Sequence, residues 1–159
     1  MEIFKESIRA ITDRRYFLTE RGYQGQLLAE LNKRLKIEQI FPGKPIVEQE
    51  YQKTLENQGI TIRPDIIIHI PYERGVAQNR QSGNFVVIQL KLEASEKVAK
   101  EDFDKLDSMF EKLKYPLGIF LNINSNKTFY DSYSSNYKKR LHCFAVQLVN
   151  NKVVLHESP

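Results

Sequence analysis

Asn84-Phe85-Val86-Val87-Ile88-Gln89-Leu90-Lys91-Leu92 decides how this chain folds. The run is rich in β-branched and large apolar residues and reads as a buried strand. Side chains alternate along a strand. Val87, Gln89 and Lys91, with Glu93 beyond them, therefore share one face, and Ile88, Leu90 and Leu92 share the other. Upstream, Arg63-Pro64-Asp65-Ile66-Ile67-Ile68-His69 belongs to a second strand, over residues 60–70, in which Asp65, Ile67 and His69 share a face. If these two strands form a hairpin, paired residue numbers sum to roughly 154 or 156. Asp65 then lies opposite Gln89 or Lys91, and in either register the three polar side chains gather on one face. They would sit at the edge of an apolar core, where desolvated polar groups need partners such as each other or a metal.

Working outward, a first strand is expected over residues 46–53, with a turn at Asn57-Gln58-Gly59. Pro71 to Gly83 reads as a polar loop. Phe41-Pro42-Gly43-Lys44-Pro45 breaks the chain before the first strand. The start of the chain places Phe4, Ile8 and Ile11 at helical spacing, predicting a helix over residues 2–15. Thr19 is a candidate cap for a second helix over residues 20–36, with an apolar stripe of Leu28, Leu31 and Leu35. After the central strand, residues 96–114 predict an amphipathic helix with Phe103, Leu106, Met109, Phe110 and Leu113 on one face, stopped at Tyr115-Pro116. Leu117 to Ile123 reads as a buried strand, and Asn124 to Arg140 as a long loop or short helix. Residues 144–149 and 153–157 form a closing hairpin turning at Asn150-Asn151. The order αβββαβ predicts an α/β fold with a single central mixed sheet flanked by helices.

The 159 residues fit one domain, 1–159. A hydrophobic fraction of 41% with 11% aromatics excludes a disordered chain. No run of about 18 apolar residues predicts a membrane span. Met1 to Glu6 carries too much charge for a signal peptide, so a cytoplasmic location is expected. A single cysteine, Cys143, excludes an intramolecular disulfide and a thiolate zinc cluster, and its apolar neighbours make it a core residue. Lys and Arg number 24 against 20 Asp and Glu, a formal net charge of +4. That balance permits a nucleic-acid partner without demanding one. No phosphate-binding loop and no Ser-His-Asp arrangement is present.

Pro64-Asp65, followed on the next strand by Gln89-x-Lys91, resembles the PD-(D/E)xK nuclease superfamily. The order of elements around the motif resembles it too, over roughly residues 20–123. The resemblance implies a restriction-endonuclease-like core and Mg²⁺-dependent (or Mn²⁺-dependent) hydrolysis of phosphodiester bonds, in DNA more than RNA. It implies Asp65 as a metal ligand, joined by Gln89, and Lys91 as the lysine that orients water or stabilises the phosphorane charge. The chain departs from the family in one place: Gln89 stands where an acid is usual. Its carbonyl can ligate Mg²⁺ but adds no charge, so a compensating carboxylate is expected, with Glu50 on the first strand brought close to Asp65 and Glu48 and Glu93 also available. The departure also allows a catalytically inactive nuclease-fold module that binds nucleic acid or a protein partner. A plain α/β interaction protein would instead treat Asp65 and Lys91 as a structural ion pair.

Family members carry an acid or a Gln near the start of the second helix. Glu20 and Gln24 are four apart and in line with its stripe. Gln24 is expected to face the site, whereas helix-terminus chemistry explains Glu20 equally well. His69 is expected to be a packed, hydrogen-bonded residue. Two basic groups are candidate phosphate contacts. Lys97, Lys100 and Lys105 lie on the third helix, interleaved with Glu96, Glu101, Asp102 and Asp104 as on a solvated face. Lys138, Lys139 and Arg140 follow Tyr130, Tyr133 and Tyr137, spaced for one helical face and suited to base stacking. A small nuclease of this kind is expected to gain selectivity from a homodimer, a partner subunit or structure-specific substrates.

Overall fold

A computed structural model describes residues 1–38, 45–49, 63–70 and 83–159, with only the backbone of 36–38. The expected turn at residues 57–59, Glu50 and the loop 71–82 lie outside the described residues. Among the described residues are three α-helices, α1 (Glu2–Arg9), α2 (Glu20–Glu38) and α3 (Glu96–Lys112). They flank one six-stranded mixed sheet of β1 (Ile46–Gln49), β2 (Ile66–His69), β3 (Asn84–Leu92), β4 (Leu117–Ile123), β5 (Leu141–Val149) and β6 (Lys152–Ser158). The strands lie in chain order. β1, β2 and β3 pair antiparallel, β3, β4 and β5 pair parallel, and β6 returns antiparallel on β5. The chain is thus α/β, as the element order predicts.

Alternation in β3 splits the core into two layers. Val86, Ile88 and Leu90 face α1 and α2, packing with Phe4, Ile8, Ile11, Tyr23, Leu27 and Leu31. Val87 faces α3 with Phe103, Leu106, Met109 and Phe110. A helix is needed on each face because parallel strands are apolar on both. Gly118 on β4 lets α3 approach: an added Cβ would stand 2.8 Å from Phe110 Cε1. No described helix is long and apolar enough to cross a membrane.

Three local expectations change. α1 ends at Arg9 rather than running to residue 15, and a 3₁₀ turn over Arg14–Leu18 follows. Asp13 takes the Arg15 backbone N–H on its carboxylate, offering the backbone a partner outside the α-helix. In α2 the buried stripe is Tyr23, Leu27 and Leu31, with Leu28 and Leu35 only partly buried at its side. Tyr130, Tyr133 and Tyr137 do not share one helical face; residues 124–140 form two short 3₁₀ turns, Tyr130–Ser132 and Lys138–Arg140. The tyrosines pack this connection onto α3, with Tyr133 5.1 Å from Phe103 and Tyr137 5.7 Å from Phe110, centroid to centroid. Of the strand expected over residues 60–70, the described part begins only at Ile66, because residues 63–65 are not strand; α3, β4 and the closing hairpin lie close to their expected bounds. Thr19 Oγ1 caps α2 through Gly22 N at 3.1 Å. Asn150 and Asn151 both adopt left-handed φ, 50° and 59°, as a tight hairpin turn requires. Cys143 is buried in the α3 layer, where burial holds its thiol protonated.

Candidate functional site

The site forms where the C-terminal ends of β3 and β4 meet the start of β2 and the first turns of α2 and α3. Ile66 pairs with Ile88 and Ile67 with Val87, the register whose sum is 154. Carried one residue further, that register sets Asp65 beside Gln89. Asp65 itself stands just before β2 in a bend, so its side chain can turn onto the neighbouring strand. Its Oδ2 accepts Leu90 N at 2.7 Å, and its carbonyl accepts Gln24 Nε2, also at 2.7 Å. Gln24 is buried against the strands and fixes the main chain at Asp65. Gln89 is 2% exposed, and among the described residues its Nε2 has no hydrogen-bond partner.

Lys91 projects from the same face. Its Nζ donates to Glu20 Oε1 at 3.2 Å, and Glu20 Oε2 accepts Leu92 N at 3.2 Å. Asp102 Oδ2 lies 4.0 Å from the same Nζ. Glu20 thus directs its carboxylate across the sheet edge onto β3, to Lys91 and Leu92. Asp102 corrects the expected solvated face of α3: it is 1% exposed, and its Oδ1 accepts Lys105 Nζ at 2.6 Å. Spacing carried a signal for it, because Ala99, Asp102, Leu106 and Met109 follow the 3–4–3 rhythm of one buried stripe.

Asn122 on β4 pairs with Lys91 and is fully buried. Its Oδ1 accepts Ala94 N at 2.9 Å and its Nδ2 donates to Lys127 O at 2.9 Å, tying together the turns that leave β3 and β4. Sequence reading passed over it as one more strand residue. Glu93 does not extend the alternation of β3. The strand ends at Leu92, Glu93 turns into the left-handed region at φ 52°, and its carboxylate accepts the Asn124 amide. Glu48 is engaged by His69, whose Nε2 lies 2.7 Å from Glu48 Oε2. His69 is thus the packed, hydrogen-bonded residue expected.

Charges follow the geometry. Burial drives Asp65 up from an ordinary 3.8 to about 6, against the Leu90 hydrogen bond and the Lys91 charge that work to lower it; Glu20 and Asp102 push it further up. For Lys91 burial acts downward, but the charges of Asp102 and Glu20, the Glu20 hydrogen bond and Asp65 outweigh it, and its pKa is raised. The cluster is a protonated amine ringed by three carboxyls, one of them close to neutral at mild pH.

The outer basic residues are more dispersed. Lys100 pairs with Glu96 at 2.8 Å, Lys105 with Asp102, and Lys97 is exposed. Lys138 stacks over the Tyr130 ring at 4.6 Å and Arg140 over Tyr137 at 5.3 Å, while Lys139 is exposed. Among the described residues no group of three or more His, Cys, Asp or Glu side chains is arranged to hold a metal ion. No protein-family model, curated protein or solved structure matches the chain.

Proposed function

We propose that the chain is a nuclease-like protein of the PD-(D/E)xK kind, with a restriction-endonuclease-like core, hydrolysing phosphodiester bonds of nucleic acid with Mg²⁺ and favouring DNA. The observation that carries this reading is Asp65 turned onto β3 at Leu90, on the face that presents Gln89 and Lys91. The donor set fits Mg²⁺, which keeps several waters and asks for only one or two carboxylates. Asp65 and the Gln89 carbonyl would hold it, and when bound it would polarise the phosphate and acidify a water. The rest falls to the chain's own groups. Gln24 orients Asp65 through its main chain. Lys91, kept charged, stabilises the negative charge that builds on phosphate oxygens. Asn122 and Glu20 hold the strand ends that carry these groups.

A second reading is a non-catalytic module of the same fold that binds nucleic acid or a protein partner. It is favoured by the hydrogen bond that Lys91 makes to Glu20, and by the missing trio of ligands among the described residues. Gln89→Glu separates the two. It places a full charge beside Asp65, so a nuclease site gains divalent affinity, by about tenfold or more, and gains cleavage with it. A folded Gln89→Glu variant with neither gain favours the non-catalytic module.

The nuclease reading, like a module that binds nucleic acid, predicts salt-sensitive nucleic-acid binding, whereas a module for a protein partner does not. Removing two phosphate contacts lowers the slope of log K against log salt by about 2. Lys138→Ala with Lys139→Ala is expected to do so in a filter-binding titration on duplex DNA. An unchanged slope removes the cluster from the interface.

A further inference from the structure

Lys138, Lys139 and Arg140 form a single 3₁₀ turn, and among the described residues none of the three pairs with a carboxylate. Cations elsewhere are compensated: Lys5, Arg9, Arg15, Arg34 and Lys100 each meet an acid. Asp107, which reaches this connection from α3, is taken up by the Tyr133 and Ser135 hydroxyls. Aromatic rings hold the cations instead. Lys138 lies 4.6 Å over Tyr130 and Arg140 5.3 Å over Tyr137, whose ring is itself packed on Phe110. Long basic side chains lose rotamer freedom when they meet an anion. Cations already seated on rings lose less of it, so the turn is preorganised for anionic groups.

The turn stands at the far end of the sheet from Lys91. The connection that carries it begins beside the site, where Ser132 Oγ donates to Glu96 Oε1 at 2.9 Å on the first turn of α3. It then follows α3 past Phe103 and Phe110. Leu141, the residue after the turn, pairs with Gly118, while Lys91 pairs with Asn122. Those levels are about 13 Å apart along the strands, and two strand spacings add about 10 Å across. The straight distance is about 16 Å, close to five base pairs of duplex at about 3.4 Å each. We propose that the turn Lys138–Arg140 is a second duplex-DNA contact, gripping the backbone about five base pairs from the phosphate at Lys91. The inference rests on the reading of Lys91 as the amine that meets phosphate. A rigid duplex bridges the gap, whereas a lone nucleotide reaches one end only. The substrate is therefore a polymer long enough to engage both ends at once.

The test is the affinity for closed-end dumbbell duplexes with stems of about four and about twelve base pairs, read by fluorescence anisotropy without divalent cation. After correction for the number of registers, the long stem should bind the wild type about tenfold or more tighter than the short one, because only it engages both contacts. Lys138→Gln, Lys139→Gln and Arg140→Gln together keep the side-chain stems over the rings, remove the charges and should erase that advantage. Lys91→Met should erase it from the other end. A folded triple variant that keeps the wild-type advantage overturns the proposal, as does a wild type that shows none. An advantage lost in the triple variant but kept by Lys91→Met overturns the reach from Lys91. Should the triple variant fail to fold, Lys139→Glu, at an exposed residue, should reduce the advantage, and an undiminished one overturns the proposal equally. Polyglutamate of matched charge, if held as tightly as the long stem, overturns duplex DNA as the partner. Mg²⁺-dependent cleavage by the wild type is measured in parallel. An advantage erased by the triple variant without wild-type cleavage supports the second contact and refutes the catalytic reading; cleavage with the advantage untouched refutes the second contact alone.

Discussion

Asp65→Asn is expected to abolish divalent-dependent cleavage and, in the same variant, to stabilise the fold above pH 6. Both effects come from one buried carboxyl. In the unfolded chain Asp65 titrates near 3.8, and in the fold near 6, chiefly because burial disfavours its charge. Below about pH 3 the group is protonated in both states and contributes no difference. Between these values the folded chain holds a proton that the unfolded chain has released, so stability falls as pH rises. Above pH 6 the full penalty stands. It amounts to about 3 kcal/mol by linkage, nearer 2 once partial exposure is allowed for. Asn keeps an oxygen for Leu90 N and carries no charge, so the penalty disappears. Denaturant melts at pH 3 and pH 7.5 should converge with the wild type at the first and exceed it at the second. A variant no more stable at pH 7.5 contradicts the buried-charge account. Divalent cation should stabilise the wild type at pH 7.5, because a bound cation favours the ionised carboxyl, and should leave the variant's melt unmoved.

Lys91→Met is expected to cripple cleavage too, but to destabilise the chain at neutral pH, by roughly 2 kcal/mol. Removing one partner of a buried ion pair commonly costs more, but Lys105 still neutralises part of Asp102, and Glu20 can turn to water. What remains is Asp102 with one cation instead of two, and Asp65 facing two acids with no amine between. Protonation relieves that repulsion, so the deficit should shrink as pH falls from 7 towards 4. Melts at both ends of that range test the sign. A deficit unchanged by pH would mean that Lys91 matters through its methylene packing. Asp65 remains in the variant, so divalent binding should survive while turnover is lost.

Strand parity made the heart of this cluster legible. Nothing beyond alternation in β3 and the hairpin from β2 was needed to gather Asp65, Gln89 and Lys91, and one of the two registers it allowed is the one observed. Local chemistry also spoke plainly at Thr19 and at Asn150-Asn151, where capping and left-handed turns depend on single residue types. Glu20 was ambiguous because a helix start explains an acid without any tertiary partner. Asp102 was hidden by its neighbours. Acids and lysines alternate along α3, and only the crossing of that helix over Lys91 separates a buried acid from the exposed ones beside it. Residues 124–140 read from sequence as either a long loop or a short helix; the loop with two 3₁₀ turns is the outcome, its tyrosines packing against Phe103 and Phe110 rather than lining one helical face.

The central claim is that this polar cluster takes a divalent cation beside Asp65. A crystal soaked in Mn²⁺ and measured for anomalous scattering tests it most directly. The account predicts a peak at about 2.0–2.2 Å from an Asp65 carboxylate oxygen, with the Gln89 carbonyl in the same coordination shell. A soaked crystal with no anomalous peak in the cluster, and Lys91 still bound to Glu20, would contradict it.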